Sequence, residues 1–258
     1  MTANLKKNLL MERLVADKSI IGTWCSSSSA NVVSTLASTH LDFVIIDMEH
    51  GSMGYETAEN MVRAAEAGEI APIIRTSTDD PQELLRVLET GVRSIMVPHV
   101  DSAAKAKRVA SACRYKPDGD RGLSPYTRIH GYSHVQIEDS LISENEVTCV
   151  GVLVEGSEGL KNLKEIVEVS GIDFVYLGLF DICQSVGLPG QVNHPDVLAE
   201  VDRCSKVIRR AGKIAGCMAT DAAFIVRLKE LEYKFIAYLN DSAAIKNHFE
   251  HVIKHLNT

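Results

Sequence analysis

Eight short apolar runs, rich in β-branched residues and separated by stretches of helical period, constrain the fold of this chain more than any other feature. They cover residues 20–24, 43–47, 72–76, 94–100, 147–154, 174–178, 214–219 and 235–239. Most are apolar throughout rather than alternating, which is the pattern of strands covered on both faces of a parallel sheet. The segments between them are amphipathic. Residues 55–69 set Met61, Val62 and Ala65 at helical spacing, and 80–90 do so with Leu84, Leu85 and Leu88 before Gly91, in the place of a C-cap glycine. Eight such units predict an α/β fold of the (β/α)8 TIM-barrel type. An open doubly wound sheet fits less well, because the turn after the first run is Cys25-Ser26-Ser27-Ser28-Ser29, with no G-x-G-x-x-G. The 258 residues suit one barrel, and no Pro/Gly-rich boundary or internal repeat divides them, so the expectation is a single domain over 1–258.

Charge and composition exclude several function classes. With 27 Lys+Arg against 34 Asp+Glu, the net charge of −7 lacks the basic footprint of a nucleic-acid binder. No apolar run approaches the roughly 20 residues that span a bilayer. Residues 1–16 lack the apolar core of a signal peptide, so a cytoplasmic location is expected. Six scattered cysteines without a C-x-x-C pair read as reduced, mostly buried thiols. Two segments exceed a minimal barrel. One is the long loop 116–133. The other is 242–255, whose stripe of Ile245, Phe249, Val252 and Ile253, continued by Leu256, suits either a closing barrel helix or a helix docked on a neighbouring subunit.

In a barrel of this kind chemistry belongs at the C-terminal ends of the strands. The second run ends Asp47-Met48-Glu49-His50-Gly51, the third in Arg75, the fifth in Glu155-Gly156, and the sixth runs Gly178-Leu179-Phe180-Asp181; Glu89 precedes the fourth run. Taken singly, Asp47 or Asp181 serves equally as a helix cap, His50 as a structural histidine, and Arg75 as a partner of Asp47 or Glu49. Together they offer a cation, an imidazole and carboxylates on separate strand ends. Oxygen ligands suit Mg²⁺ or Mn²⁺, which a 2-oxo acid can chelate. Arg75 would add a second positive group at a developing enolate oxygen, and a histidine can move the proton. That is a toolkit for making or breaking a C–C bond beside a carbonyl. The rival lysine Schiff base has no strand-end lysine to use.

These residues resemble the HpcH/HpaI aldolase family of class II pyruvate-type aldolases, which includes 4-hydroxy-2-oxo-heptanedioate and 2-dehydro-3-deoxy-glucarate aldolases. The likeness runs nearly end to end. It rests on Ile21-Gly22-Thr23-Trp24, Phe43 through Gly51, Ile74-Arg75, Gly91 through Val97-Pro98, Pro117-Asp118-Gly119-Asp120-Arg121-Gly122, Val154-Glu155, Gly178 through Ile182, Gly187 and His194-Pro195. The resemblance implies a barrel whose last helix is exchanged between subunits, in trimers paired into hexamers. It implies a divalent ion (Mg²⁺, Mn²⁺ or Co²⁺) on Glu155 and Asp181, chelated by a small 2-oxo acid. By the same analogy His50 transfers protons with Glu89 as its acidic partner, and Arg75 binds the keto oxygen. Trp24 and the Gly178, Leu179, Phe180, Asp181 turn contact substrate, whose carboxylate the turn's amides receive. The chain departs from the family pattern at Leu153, where Gln is usual, at Glu89, where Asp is usual, and at Leu179-Phe180, where the usual proline is lost. The activity implied is metal-dependent cleavage of a 4-hydroxy-2-oxo acid to pyruvate and an aldehyde. The same scaffold hosts macrophomate synthase and a siderophore-pathway citrate synthase condensing oxaloacetate with acetyl-CoA, and the departures keep that alternative open. A non-catalytic 2-oxo acid-binding barrel ranks last.

Overall fold

A computed structural model describes residues 7–15 and 18–256. The reading of residues 1–16 as lacking a signal peptide falls in part, at residues 1–6 and 16, outside these. Eight parallel strands close into a barrel in sequence order, each hydrogen-bonded to the next and the eighth to the first. They are β1 (Ile20–Cys25), β2 (Phe43–Asp47), β3 (Ala71–Arg75), β4 (Ser94–Val97), β5 (Cys149–Val154), β6 (Phe174–Leu177), β7 (Ile214–Ala219) and β8 (Phe235–Asn240). All eight expected runs are strands. The largest difference in length is β4, which stops at Val97 rather than at residue 100 because His99 takes a left-handed φ of 56°.

Strand parity separates the apolar residues into two layers. Phe43, Ile45, Ile73, Met96, Leu153, Phe174, Tyr176 and Phe235 pack together inside the barrel, while Val44, Ile46, Ile74, Ile95, Val152, Val175 and Ile236 meet the helices. The interior is dominated by aromatic rings. Phe235 lies 4.4 Å from Phe43, 5.1 Å from Phe174 and 5.5 Å from Tyr176 between centroids. Such rings fit because small residues face them, as the layered filling of these barrels requires. A Cβ on Gly151 would fall 1.9 Å from the Phe174 ring. Gly151→Ala is therefore expected to cost roughly 1–3 kcal/mol through overpacking, read as a lower urea midpoint with an unchanged slope.

The outer shell comprises, among the described residues, α1 (Leu9–Val15), α2 (Ala30–Ala37), α3 (Tyr55–Ala67), α4 (Pro81–Glu89), α5 (Ala103–Ala112), α6 (Ile137–Val147), α7 (Gly156–Lys161), α8 (Leu163–Val167), α9 (Leu179–Ser185), α10 (Pro195–Arg210), α11 (Ala222–Glu230) and α12 (Asp241–Leu256). The helix boundaries follow local chemistry. Asp80 caps α4 by accepting from the Gln82 and Glu83 amides, with Pro81 in the first turn, and Gly91 beyond its end has a φ of 93°. Helix α1 was not among the expected elements. It seals the N-terminal mouth of the barrel with Leu10 and Leu14, held by Asn8, whose side-chain amide donates to the carbonyls of Arg93 and Val147.

Helix α12 leaves the barrel. Beyond Asp241 none of its residues is buried, and the exposures of Phe249, Ile253 and Leu256 are 62%, 55% and 75%. Its first residue is nonetheless firmly tied. Asp241 accepts from the amides of Ser26 and Ser27, the Ser26 hydroxyl and the Cys25 thiol. Burial by itself would raise the Asp241 carboxyl, yet hydrogen bonds from Ser27, Ser26 and Cys25 outweigh it and hold it below the ordinary carboxylate range. The contribution of this ionised group to stability is complete above the unfolded pKa of about 3.9 and fades as pH falls through the lower folded value. Asp241→Asn should cost roughly 2 kcal/mol at neutral pH. The gap to the unaltered protein should close on acidification, as measured by urea unfolding across pH.

All six cysteines are free and buried. Among the described residues no helix is long and apolar enough to cross a membrane.

Candidate active site

The same parity that fills the barrel builds the site. The uppermost inward positions, Trp24, Asp47, Arg75, Leu153, Tyr176 and Met218, form the floor of a cleft of about 470 Å³ at the C-terminal ends of the strands. Its wall is the β5 exit at Glu155 and the turn Gly178, Leu179, Phe180 and Asp181 that opens α9; His50, Ser26 and Asn240 complete the lining. Thus Trp24, His50, Arg75, Glu155 and the whole 178–181 turn are brought together.

Arg75 is the best-held group. Its Nε donates to Asp47 Oδ1 at 2.8 Å and its Nη2 to Asp47 Oδ2 at 2.6 Å, a two-pronged contact between neighbours in register on β3 and β2. Its Nη1 lies 2.9 Å from Glu49 Oε2, and the guanidinium stacks 4.5 Å above the Trp24 ring. The pairing of Arg75 with Asp47 and Glu49, the duller reading of these residues, is real, yet it leaves chemistry available. A guanidinium has five N–H bonds, and those not turned to the carboxylates remain for a ligand in the cleft. Asp47 also accepts from the Glu49 and His50 amides at 3.1 and 3.2 Å, fixing the turn that carries His50. The His50 ring itself is exposed at the cleft.

Glu155 and Asp181 flank Gly178. A Cβ there would lie 2.8 Å from Asp181 Oδ2 and 3.0 Å from Glu155 Cβ, so a side chain at this position would press on both acidic residues. Burial pushes the Glu155 carboxyl up and the nearby charges of Asp181 and Glu49 add to this, while His99 opposes it. Asp47 and Glu49 thus hold Arg75, while Glu155 is held by His99 and lies near the charge of Asp181. Among the described residues no group of three or more histidine, cysteine or acidic side chains forms a complete metal cage. A carboxylate pair with an open cleft beside it fits a hard divalent cation that takes its other oxygen ligands from substrate and water.

Two outcomes differ from the sequence reading. Glu89 does not line the cleft, because α4 runs back from the β3 end and carries its last residue to the opposite mouth of the barrel. There Glu89 Oε1 accepts from Arg121 Nη2 at 3.2 Å, and Arg121 stacks 4.6 Å over Tyr115, so this part of the 116–133 loop braces the far side of the chain. His99, by contrast, was not anticipated. Its ring spans Glu49 and Glu155, with Nε2 2.8 Å from Glu49 Oε1 and Nδ1 2.7 Å from Glu155 Oε1. A polar residue just past an apolar run was the available signal, masked by counting 94–100 as one strand.

A closed parallel barrel gathers carboxylates, an imidazole and a guanidinium at its strand ends, and the relatives of this chain place it among the carbon–carbon lyases. The family model for HpcH/HpaI aldolase/citrate lyase matches residues 20–244, and the chain belongs to that family. It is 32% identical over 241 residues to the pyruvate aldolase of Rhizobium etli, covering 93% of this chain and 94% of the relative. It is also 32% identical over 232 residues to the 4-hydroxy-2-oxo-heptane-1,7-dioate aldolase of Salmonella dublin, covering 90% and 88%. Among solved structures, the citrate synthase SbnG superposes with a TM-score of 0.86 at 27% identity, covering 96% of this chain and 97% of the other.

Proposed function

We propose that the protein is a metal-dependent aldolase that cleaves a 4-hydroxy-2-oxo acid to pyruvate and an aldehyde. The observation that carries this reading is Arg75, clamped by Asp47 and Glu49 with donors left facing a cleft that also holds the Glu155–Asp181 pair. The likeness to two aldolases over most of the chain supports it. Glu155 and Asp181 would hold the divalent cation, which when bound supplies Lewis-acid polarisation of the 2-oxo group.

The chain's own residues account for the remaining steps. Amides at the start of α9, Leu179 to Asp181, receive the substrate carboxylate. Arg75 donates to the keto oxygen, where negative charge grows as the bond breaks. His50 removes the proton of the 4-hydroxyl; the C3–C4 bond then breaks, C4 leaves as the aldehyde, and the electron pair passes to the enolate of C2 and C3. Proton return to C3, from the same histidine, gives pyruvate. The trial of this reading is pyruvate release from a panel of 4-hydroxy-2-oxo acids, coupled to lactate dehydrogenase, with Mg²⁺, Mn²⁺ or Co²⁺ and with EDTA. Pyruvate formed only with metal supports it; none from any substrate counts against it.

A second reading is favoured by Leu153 in the cleft floor, the 50% exposed Phe180 at its wall and the likeness to SbnG. It is condensation of oxaloacetate with acetyl-CoA to citrate. Thiol release from that mixture, without pyruvate from the hydroxy-oxo acids, would select it.

We also propose a homo-oligomer, a trimer or hexamer, in which α12 packs on a neighbouring copy. The support is its uncovered stripe of Ile245, Phe249, Ile253 and Leu256, which a helix of this length in water does not sustain alone. Phe249→Lys should lower the mass seen by light scattering, and a single-chain mass for the unaltered protein would refute the assembly.

A further inference from the structure

We propose that His99 is a positioning residue for the cation ligand Glu155, tying it to the arginine that binds the keto oxygen. This rests on the reading of Glu155 and Asp181 as the cation's holders. His99 meets one oxygen of Glu155 twice: the His99 amide donates to Oε1 at 3.0 Å, and ring Nδ1 lies 2.7 Å from the same atom. Oε1 is thereby committed, which leaves Oε2 as the oxygen free for an ion. The other ring nitrogen, Nε2, lies 2.8 Å from Glu49 Oε1. Glu49 in turn pairs with Arg75, and Arg75 with Asp47. A continuous ladder, Asp47–Arg75–Glu49–His99–Glu155, therefore joins the two positive subsites of the cleft.

The backbone is shaped for this purpose. His99 sits at a φ of 56°, a conformation unusual for a residue with a side chain, and its carbonyl accepts from Lys105 Nζ at 2.8 Å. Its side chain is 64% exposed, so packing does not explain the ring's placement; the two carboxylates do. Carboxylates that ligate metals are commonly held in this way by neighbours whose loss weakens the ion's affinity roughly 10–100-fold.

The test is Mn²⁺ affinity of the full-length protein without substrate, followed by the electron paramagnetic resonance of the free ion. His99→Gly relieves the φ and removes the ring; it should bind Mn²⁺ roughly 10–100-fold more weakly with an unchanged melting temperature in EDTA. His99→Asn tolerates the same φ and can still donate to Glu155; it should retain most of the affinity. Unchanged or tighter binding by His99→Gly overturns the inference, the latter because the ring would then be competing with the ion. If Glu155→Gln abolishes binding while His99→Gly does not weaken it, the cation site stands and the role of His99 falls. If the unaltered protein binds no Mn²⁺, both fall.

Discussion

Arg75→Lys is expected to reduce turnover at least about a hundredfold while the barrel remains folded. The native guanidinium makes a planar fork to both oxygens of Asp47, touches Glu49 and lies over Trp24, and still presents N–H groups to the cleft. An ammonium keeps the charge, so Asp47 and Glu49 are not stranded. It cannot reproduce the fork and hold a third partner in a fixed plane, and the group facing the keto oxygen is lost or misplaced. Arg75→Ala should be worse in a second way. It leaves a buried carboxylate pair without a cation, at about 3–5 kcal/mol of stability. Steady-state turnover together with thermal unfolding separates these effects: Lys lowers kcat with little change in Tm, and Ala lowers both. A lysine variant with near-native kcat would remove Arg75 from the chemistry.

Glu155→Gln is the second large effect. The amide has the same shape but no charge, and it replaces one of the two carboxylates that flank Gly178. Turnover should fall roughly 10²–10³-fold, and the response to added Mg²⁺ should be lost over the range that activates the unaltered enzyme. Because burial and the carboxylates of Asp181 and Glu49 already disfavour the charge of Glu155, the uncharged amide should not destabilise the metal-free fold. An equal Tm in EDTA with lost activity is the expected pair of results. A variant that retains both activity and metal response would move the cation elsewhere.

Much of this arrangement is legible in the sequence because two rules coincide. Apolar runs mark strands, and polar residues at their C-terminal ends mark a site. Asp47, Arg75, Glu155 and Asp181 obey both and converge in the cleft. His99 obeys the second rule but lies two residues past the end of β4, and its left-handed backbone, which swings the ring toward Glu49 and Glu155, has no sequence signature. Glu89 shows the opposite case. Its nearness in sequence to the fourth strand suggests the site and the resemblance supplies its role, whereas helix direction places the last residue of α4 at the far mouth of the barrel. The exit of α12 was equally open at the sequence level, since an apolar stripe states that a face needs cover and not which molecule provides it.

The two-layer parity of the strands has a consequence for how this chain tolerates change. Asp47, Arg75, Leu153 and Tyr176 reach the cleft because each lies an even number of residues from a side chain that fills the interior: Phe43, Ile73, Cys149 and Phe174. Inserting or deleting a single residue within β3 would turn Arg75 outward to the helices and bring Ile74 to the floor, erasing the site and the core together. The segment after β7 carries neither the cation ligands nor the keto-oxygen donor and has no such constraint. A change of length is therefore best tolerated there, and this is the place where a changed acceptor can be engineered without recutting the foundation.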